Sequence, residues 1–312
     1  MQRMETKKPN KANDWKLGTW NCRFLTAPGS TRILADEVRA RGFGIVALQE
    51  VRWKGVTERP YGSDCMIYQS GGEKHELGTA FLVIGEMRKR VIGWWPINDR
   101  MCRLRIRGRL FNLSIINVHS PHLKSTDDDK YNFYTQLERE YDRCPQHDVN
   151  AHFNAQVGQE EAFKPTIGSF SAHKLTNDNG LRLVNFASSK HMTIRSTFFQ
   201  HAPRFSYTWR SPQQTLSQID HVLIDGRHFS DVIDVRTYRE ANVDSDHFLV
   251  MVKLRQKLCV SNKVRYQPTP RLNTDRLRQR DVARDFAIAL GEALPEDTTT
   301  EAMSLNDYWR IV

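Results

Sequence analysis

The sequence predicts an α/β domain built as a two-layer β-sandwich flanked by helices. Short runs rich in Val, Ile and Leu alternate with amphipathic helical stretches from Leu17 to about Leu254. Such runs are typical of strands that are covered on both faces. Mixed strands and helices over this length favour layers packed around a sizeable core.

Hydrophobic periodicity locates the individual elements. The predicted strands are Leu17–Trp20, Gly44–Leu48, Thr79–Ile84, Arg103–Arg107, Phe111–Val118, Ile219–Ile224 and Phe248–Lys253. The predicted helices cover residues 30–42, residues 127–141 and the stretch after Asn179-Gly180, and the second is expected to bury Tyr131, Tyr134, Leu137 and Tyr141 on one face.

Composition divides the chain into three parts. Residues 1–15 predict a disordered basic leader, residues 16–256 the folded domain, and residues 257–312 a basic linker followed by a partly helical tail. Residues 253–284 contain ten Lys or Arg against two Asp, whereas residues 285–312 contain six acidic residues against one Arg. This shift favours a loosely ordered tail over a second folded domain.

The overall charge indicates the class of partner. The chain has 46 Lys and Arg against 36 Asp and Glu, a net charge of +10, and its pI is about 9.4. This balance favours an anionic partner, with nucleic acid first. Because no run has the length of a membrane span, we expect no membrane partner.

Other common classes are excluded by absent patterns. The N-terminus lacks the apolar core of a signal peptide, and the five scattered cysteines predict reduced thiols in an intracellular protein. No Walker loop, G-x-G-x-x-G or G-x-S-x-G motif occurs. Nothing in the sequence indicates the oligomeric state.

Polar residues stand at the ends of four apolar strands, where α/β proteins place their chemistry. These groups are Thr19-Trp20-Asn21, Leu48-Gln49-Glu50, Gln218-Ile219-Asp220-His221 and Asp244-Ser245-Asp246-His247. Asn21 alone is explained equally by a turn, and Glu50 suits either a buried or a ligand-bound carboxylate. Asp220 lies in so apolar a run that it needs a partner.

Taken together, the four groups predict a phosphate site. Three carboxylates, an Asn and a His suit a hard divalent cation, with Mg²⁺ first, beside a His-Asp pair that acts on a phosphate.

The order of these motifs resembles the endonuclease/exonuclease/phosphatase superfamily, which includes the abasic-site endonucleases. A closer resemblance is to endonuclease domains of RTE-type non-LTR retrotransposons and to the craniofacial development protein 2-like group. The matching segments include GTWNCRFL, ALQEVRW, QIDHVLID and VRTYREANVDSDHFLVMVKLR. They occur in order over roughly residues 16–260.

The resemblance implies residue roles. Glu50 would be the principal metal ligand, Asp246 would join the metal and its water network, and Asn21 would support both. His247, oriented by Asp220, would hydrogen-bond the scissile phosphate. The implied set also includes His119, which would stabilise the phosphate, and Asn154, which would position water or phosphate.

The reaction implied by the resemblance is Mg²⁺-dependent hydrolysis of a DNA phosphodiester, with Mn²⁺ as a possible substitute. The enzyme would be a retrotransposon-type nickase with DNA as its partner. Nuclear localisation is the expectation that follows from such a substrate.

The sequence departs from the family pattern in one motif. The family has Gly-Asp-Phe-Asn, whose Asp is its general base, where this chain has Ala151-His152-Phe153-Asn154. The segment DVNAHFN also predicts only a weak, half-buried strand. His152 can act as a base, but it brings no negative charge and would repel a metal when protonated. We therefore expect weakened or absent catalysis.

A row of arginines is a second candidate for nucleic-acid contact. Arg103, Arg105, Arg107 and Arg109 recur with period two, so they predict one basic face of a strand. Two interpretations remain open. The face is either solvated surface, or it contacts phosphates and contributes salt-dependent affinity.

Alternative functions remain open beside the weakened nickase. One is a catalytically dead protein that still binds nucleic acid. Another is a phosphatase of the same superfamily that acts on a small molecule or a lipid. A product that does not fold stably is a further possibility.

Overall fold

In the computed structural model, the described residues are 14–23, 25–145, 148–151, 153–241, 243–256 and 279–293. The chain divides into two compact units, Met1–Cys259 and Val260–Val312. The described part of the second unit contains helix α4 (Arg280–Ala293), in the segment where the sequence predicts a helix. The first strand begins at Trp15, inside the predicted leader, so β structure starts earlier than expected.

Two sheets form the first unit, with elements numbered in chain order. The first sheet contains β1 (Trp15–Asn21), β2 (Ile45–Gln49), β3 (Val56–Tyr61), β4 (Cys65–Ser70), β5 (Thr79–Ile84), β14 (Val232–Tyr238) and β15 (Leu249–Leu254). The second contains β6 (Val91–Asn98), β7 (Met101–Ile106), β8 (Leu113–Val118), β9 (Asp148–Ala151), β10 (Met192–Ile194) and β13 (Val222–Asp225). A small hairpin is formed by β11 (Trp209–Arg210) and β12 (Leu216–Ser217).

The strand order shows which strands are central. Over the described residues, the first sheet runs β14-β15-β1-β2-β5-β4-β3 and the second runs β10-β13-β9-β8-β7-β6. The short strand β9 pairs with β8 and with β13, and it ends immediately before position 152. The weak strand predicted there therefore lies in the middle of the second sheet.

Each predicted strand matches an observed one, whereas the strands at the sheet edges and the interior strand β4 are not predicted by the sequence. Both β3 and β6 are edge strands, and they contain Pro60 and Pro96. Proline lacks the N–H that a sheet ladder needs, and it is tolerated at an edge because no second neighbour requires that donor. The edge strands therefore lack the continuous Val, Ile and Leu signature used to identify the central strands.

The two sheets pack face to face, and period-two alternation assigns side chains to each layer. Along β2, Ile45 and Ala47 enter the core between the sheets, whereas Val46 and Leu48 face the outer side. On β8, Leu113 and Ile115 face the same inner core.

Helices cover the outer faces of the sandwich. Helix α1 (Ser30–Ala40) packs on the first sheet, and helices α2 (Asp127–Asp142) and α3 (Asp178–Ser189) pack on the second. The predicted two-layer sandwich flanked by helices is thereby confirmed. The expected face of α2 is wrong at Tyr131, which is 68% exposed, because Phe133 and Leu137 centre the buried stripe further round the helix.

At one end, the core between the sheets becomes polar. Asn117, at an inner-facing position of β8, donates through Nδ2 to the carbonyls of Leu48 (2.9 Å) and Ala80 (2.8 Å), which face each other across β2 and β5. Gln49 donates through Nε2 to Asn117 Oδ1 (2.6 Å) and to Thr19 Oγ1 (3.0 Å). Asn117 and Gln49 are fully buried, so this network joins the two sheets where their strands end.

We expect Asn117→Ala to lower the free energy of unfolding by about 3 kcal/mol, because buried groups of both sheets would lose hydrogen-bond partners. Urea unfolding followed by tryptophan fluorescence measures the change. The matched control is Asn132→Ala on the exposed side of α2, where the change should stay within about 0.5 kcal/mol. Equal losses in both variants would contradict the structural role of Asn117.

Candidate active site

A cleft of about 690 Å³ opens where β1, β2 and β8 end. Its walls come from residues that directly follow these strands and from the loops around Trp209 and His247. Of the residues predicted from the sequence, the following line it: Glu50, His119, Asn154, Asp246 and His247. Asn21 and Asp220 are buried directly behind this wall.

Glu50 reaches the cleft because its backbone breaks the strand alternation. In a continued β2 strand, Glu50 would share the outer face of Leu48. Its backbone is left-handed instead (φ 51°), and its side chain lines the cleft. Such a backbone costs a non-glycine residue about 1–2 kcal/mol, and strain of this kind is concentrated at functional sites.

Two side chains hold the Glu50 carboxylate in place. Asn21 Nδ2 donates to Oε1 at 2.9 Å, and His119 Nε2 lies 3.3 Å from the same oxygen. Burial raises the pKa of the Glu50 carboxyl, but the hydrogen bond and charge of His119, with the amide of Asn21, outweigh burial. They hold this pKa well below its ordinary value, so Glu50 is an anion at neutral pH.

His247 and Asp220 form a buried pair. His247 Nδ1 lies 2.9 Å from Asp220 Oδ2, and both side chains are over nine-tenths buried. Burial lowers the pKa of His247, but the charge and hydrogen bond of Asp220 raise it, with Asp246 and Glu50 acting in the same direction. The net effect is a raised pKa, so the ring keeps its second proton to higher pH.

The backbone around this pair is fixed from several directions. Trp20 Nε1 donates to the carbonyl of His247 at 3.1 Å. Thr208 Oγ1 accepts the N–H groups of Ile219 and Asp220, each at 3.0 Å. The orientation of the histidine therefore depends on the first sheet, and that of its aspartate on the loop before β11.

Asp246 meets two donors at one oxygen. Trp209 Nε1 donates to Asp246 Oδ2 at 3.2 Å, and Arg23 Nη1 donates to the same oxygen at 3.3 Å. The carboxylate is partly exposed and faces the cleft. Asp246 is thus oriented by an indole and a guanidinium before any ligand enters.

Asn154 is held by the loop after β8. Its backbone N–H donates to Ser120 Oγ (2.8 Å), and its Nδ2 donates to the Ser120 carbonyl (3.3 Å). Asn179 of α3 donates to the Asn154 carbonyl at 2.8 Å. His152, the substituted general-base position, lies outside the described residues.

No protein-family model matches the chain. Craniofacial development protein 2 from Bos taurus is 32% identical over 255 residues, which are 80% of this chain and 42% of that protein. The corresponding protein from Tragulus javanicus is also 32% identical over 255 residues, 44% of its length. The chain thus spans less than half the length of the curated relatives that it matches.

Solved structures define the fold. The endonuclease domain of TRAS1, a telomere-specific non-LTR retrotransposon, has a TM-score of 0.56 at 15% identity and covers 78% of this chain and 98% of its own. The catalytic domain of Xenopus laevis APE2 has a TM-score of 0.58 at 16% identity, and the match covers 77% of this chain and 91% of that domain. The 3′ phosphatase NExo from Neisseria, bound to a product DNA hairpin, has a TM-score of 0.57 at 18% identity. The match covers 78% of this chain and 100% of the NExo chain.

The chain has the endonuclease/exonuclease/phosphatase fold, which is DNase I-like. Both resemblances identified from the sequence, to this superfamily and to the craniofacial development protein 2-like group, are confirmed. Among the residues with described positions, no helix combines the length and the apolar character needed to cross a bilayer.

The donor set of this cleft suits a magnesium ion that keeps most of its own waters. In the described part of the chain, no three His, Cys, Asp or Glu side chains form a group that could hold a metal. Mg²⁺, however, keeps several waters and binds through one or two carboxylates and substrate phosphates. The anionic Glu50 and the partly exposed Asp246, both in the cleft wall, fit that requirement.

The prediction that the four arginines form one continuous basic face of a strand is wrong. Arg103 is 9% exposed, because it lies on the β7 face that α2 covers, where it stacks on Trp95 at 4.4 Å and donates to the Glu140 carbonyl. Arg105 is partly buried and donates to Ser114 Oγ (2.7 Å). β7 ends at Ile106, so the exposed Arg107 and Arg109 follow the strand.

Sequence reasoning missed several residues of the site. Arg23, Ser120 and Asn179 were not singled out, although Arg23 follows the predicted Asn21 by two positions and Ser120 follows His119. Adjacency to a motif was the available signal for these two. Asn179 was used only to start a helix, and its contact with Asn154 depends on the packing of α3.

The His247–Asp220 pair makes a prediction about protonation. In Asp220→Asn, the opposing effect of burial is no longer outweighed, so the His247 ring should lose its proton at lower pH than in the wild type. NMR titration of the histidine side chains measures this. Asp234→Asn is the control, because Asp234 pairs with His201 (2.8 Å) and should leave the His247 titration unchanged. An unchanged His247 curve in Asp220→Asn would contradict the assignment.

Proposed function

We propose that this chain is a Mg²⁺-dependent phosphodiester hydrolase of the DNA endonuclease type, with hydrolysis slowed by His at position 152. The observation that carries the proposal is the convergence of an anionic Glu50 and the Asp220-oriented His247 on one cleft. A carboxylate for a hard cation and a protonated imidazole for an anionic oxygen are the groups that phosphate hydrolysis requires.

His247 acts on the phosphate through hydrogen bonding. Because Nδ1 donates its hydrogen bond to Asp220, Nε2 of the doubly protonated ring is the nitrogen that can donate to a phosphate oxygen in the cleft. The raised pKa favours the charged form of the ring, and a charged ring would make this hydrogen bond charge-assisted. His119 and Asn154 line the same cleft and would hold further phosphate oxygens.

Glu50, together with Asp246, would hold the cation. When bound there, Mg²⁺ would polarise the phosphoryl oxygen and offset the charge that develops on it. Asn21 keeps the carboxylate of Glu50 at the cleft wall, and Trp209 does the same for Asp246. We propose Mn²⁺ as a substitute because it accepts the same oxygen ligands.

DNA is the proposed substrate for two reasons. The net charge of +10 favours a polyanion, and Arg23, Arg52 and Arg100 all line the cleft. The TRAS1 likeness supports a retrotransposon-type nickase, and such a substrate would place the protein in the nucleus. The alternative hypothesis, a phosphatase of the same superfamily, would be supported by phosphate release from a small molecule or lipid without any nicking of DNA.

Substitution of the general base limits the proposed rate. A positioned general base contributes about 10²–10⁴-fold. Histidine at 152 can accept a proton but adds no negative charge beside the cation. The same substitution favours a second candidate function, namely DNA binding without hydrolysis.

Nicking of supercoiled plasmid with Mg²⁺ tests the metal assignment. We expect Glu50→Gln to lose nicking at least about 100-fold, because the amide keeps the shape of the side chain but removes the anion. The matched control is Glu58→Gln, an exposed position of edge strand β3, which should nick like the wild type. Equal rates for Glu50→Gln and wild type would refute the role of Glu50.

The substitution at position 152 is tested by reversing it. We expect His152→Asp to raise the nicking rate about 10²-fold, because a carboxylate restores the base. His191→Asp, at the exposed end of α3, adds the same charge away from the cleft and should leave the rate unchanged. If His152→Asp and the wild type both bind DNA but neither nicks it, the hydrolase proposal fails and the DNA-binding function is supported.

A further inference from the structure

Arg23 occupies a constrained position directly after β1. Its backbone is left-handed (φ 52°), and its N–H donates to Asn21 Oδ1 at 3.1 Å. The other end of the same amide, Nδ2, donates to Glu50 at 2.9 Å. The amide of Asn21 therefore sets both the carboxylate of Glu50 and the turn that aims Arg23 into the cleft.

The guanidinium of Arg23 is the most accessible of the three arginines that line the cleft. Its side chain is 54% exposed, whereas that of Arg52 is 29% exposed and lies 3.7 Å from Glu50. Arg100 is partly buried, and its Nη1 donates to the carbonyl of His119. Arg23 is thus the arginine with most of its surface turned to an incoming ligand.

The ion pair between Arg23 and Asp246 is weakly built. It consists of one contact, Nη1 to Oδ2 at 3.3 Å, and Oδ2 also accepts from Trp209. Exposed ion pairs of this kind are worth about 0–1 kcal/mol, and charge-assisted hydrogen bonds of good geometry are shorter. A phosphate can take two parallel hydrogen bonds from the planar guanidinium, so a phosphate is the better partner.

We propose that Arg23 exchanges partners during substrate binding. In the free protein it neutralises Asp246, and on DNA it turns to a backbone phosphate and releases that carboxylate for the cation. Arg23 is then a substrate-binding residue that also restrains cation binding until the polyanion arrives. The proposal rests on the proposed function, because it needs a phosphodiester substrate and a cation at the same cleft.

Two binding measurements on the intact chain test the exchange without requiring hydrolysis. The first is fluorescence anisotropy of a labelled duplex oligonucleotide in EDTA over a series of KCl concentrations. We expect Arg23→Ala to weaken binding about tenfold and to reduce the salt slope by about one, as for the loss of one phosphate contact. Alanine is chosen because it keeps a Cβ at the left-handed position, whereas glycine would also relieve the backbone.

The matched control is Arg32→Ala. Arg32 lies on the exposed side of α1, and its side chain is 82% exposed. The Arg32→Ala substitution removes the same single charge as Arg23→Ala but away from the cleft. We expect its DNA affinity and salt slope to match the wild type. Arg23→Lys keeps the charge but lacks the planar fork, so its affinity should fall between the two.

The second measurement is Mn²⁺ binding without DNA, followed by electron paramagnetic resonance. We expect Arg23→Ala to bind Mn²⁺ up to about fivefold more tightly, because Asp246 loses its competing cation. Arg32→Ala should leave Mn²⁺ affinity unchanged. Opposite shifts of the two affinities in one variant distinguish the exchange from general damage, which would weaken both.

Defined outcomes overturn the proposal. If Arg23→Ala and Arg32→Ala bind DNA equally well, or if Arg23→Ala binds Mn²⁺ no more tightly than the wild type, the exchange is refuted while the proposed function stands. If the wild-type chain binds neither DNA nor Mn²⁺, the proposed function itself fails and the exchange fails with it.

Discussion

The amide of Asn117 is the contact on which the site depends. The inner faces of the two sheets are apolar along most of their length, and apolar packing has no directional preference of its own. At the end that carries the cleft, Asn117 ties β8 to the carbonyls of Leu48 and Ala80 and to Gln49. Each of these hydrogen bonds is directional and buried, so the relative position of the sheets is specified where it matters. Glu50 follows Gln49, and His119 lies two residues beyond Asn117, so their 3.3 Å approach depends on this network.

Most central strands could be predicted because they are continuous apolar runs, whereas the central strand β4 ends in the polar Gln69 and Ser70 and lacks such a run. Runs such as Thr79–Ile84 are buried along their whole length, and a continuous apolar run leaves few alternatives to a covered strand. The edge strands β3 and β6 face water along one side, so their sequences carry charges, glycine and proline that also suit loops. Helix α2 was found from its period, but its buried face was misjudged at Tyr131. The predicted pattern of three tyrosines and Leu137 omits Phe133, and the buried Phe133 shows that the phase of the apolar face differs from the prediction.

The site itself was predictable in its residue types and less so in its geometry. Asn21, Glu50, Asp220 and His247 stand at strand ends, and strand ends meet at one edge of a sandwich. The sequence does not show towards which side of the sheet each side chain points. Glu50 faces the cleft through a left-handed backbone, which strand parity contradicts. The prediction that Arg103 lies on a basic surface is wrong for a related reason. Period-two spacing identifies the face of the strand but does not show that a helix covers that face. Long-range packing decides both cases.

Each of three cleft side chains is oriented by its own contact within the described part of the chain. The groups that orient the cleft are each held by contacts elsewhere: Glu50 by Asn21, His247 by Asp220 and Asn154 by Ser120. None of these three contacts involves position 152. Under the proposed function, loss of the general base would remove one contribution to the rate, while these three contacts would still orient the groups proposed to act on the phosphate. Under the same proposal, restoring a single carboxylate at position 152 is the smallest change that would separate DNA binding without hydrolysis from DNA binding with hydrolysis.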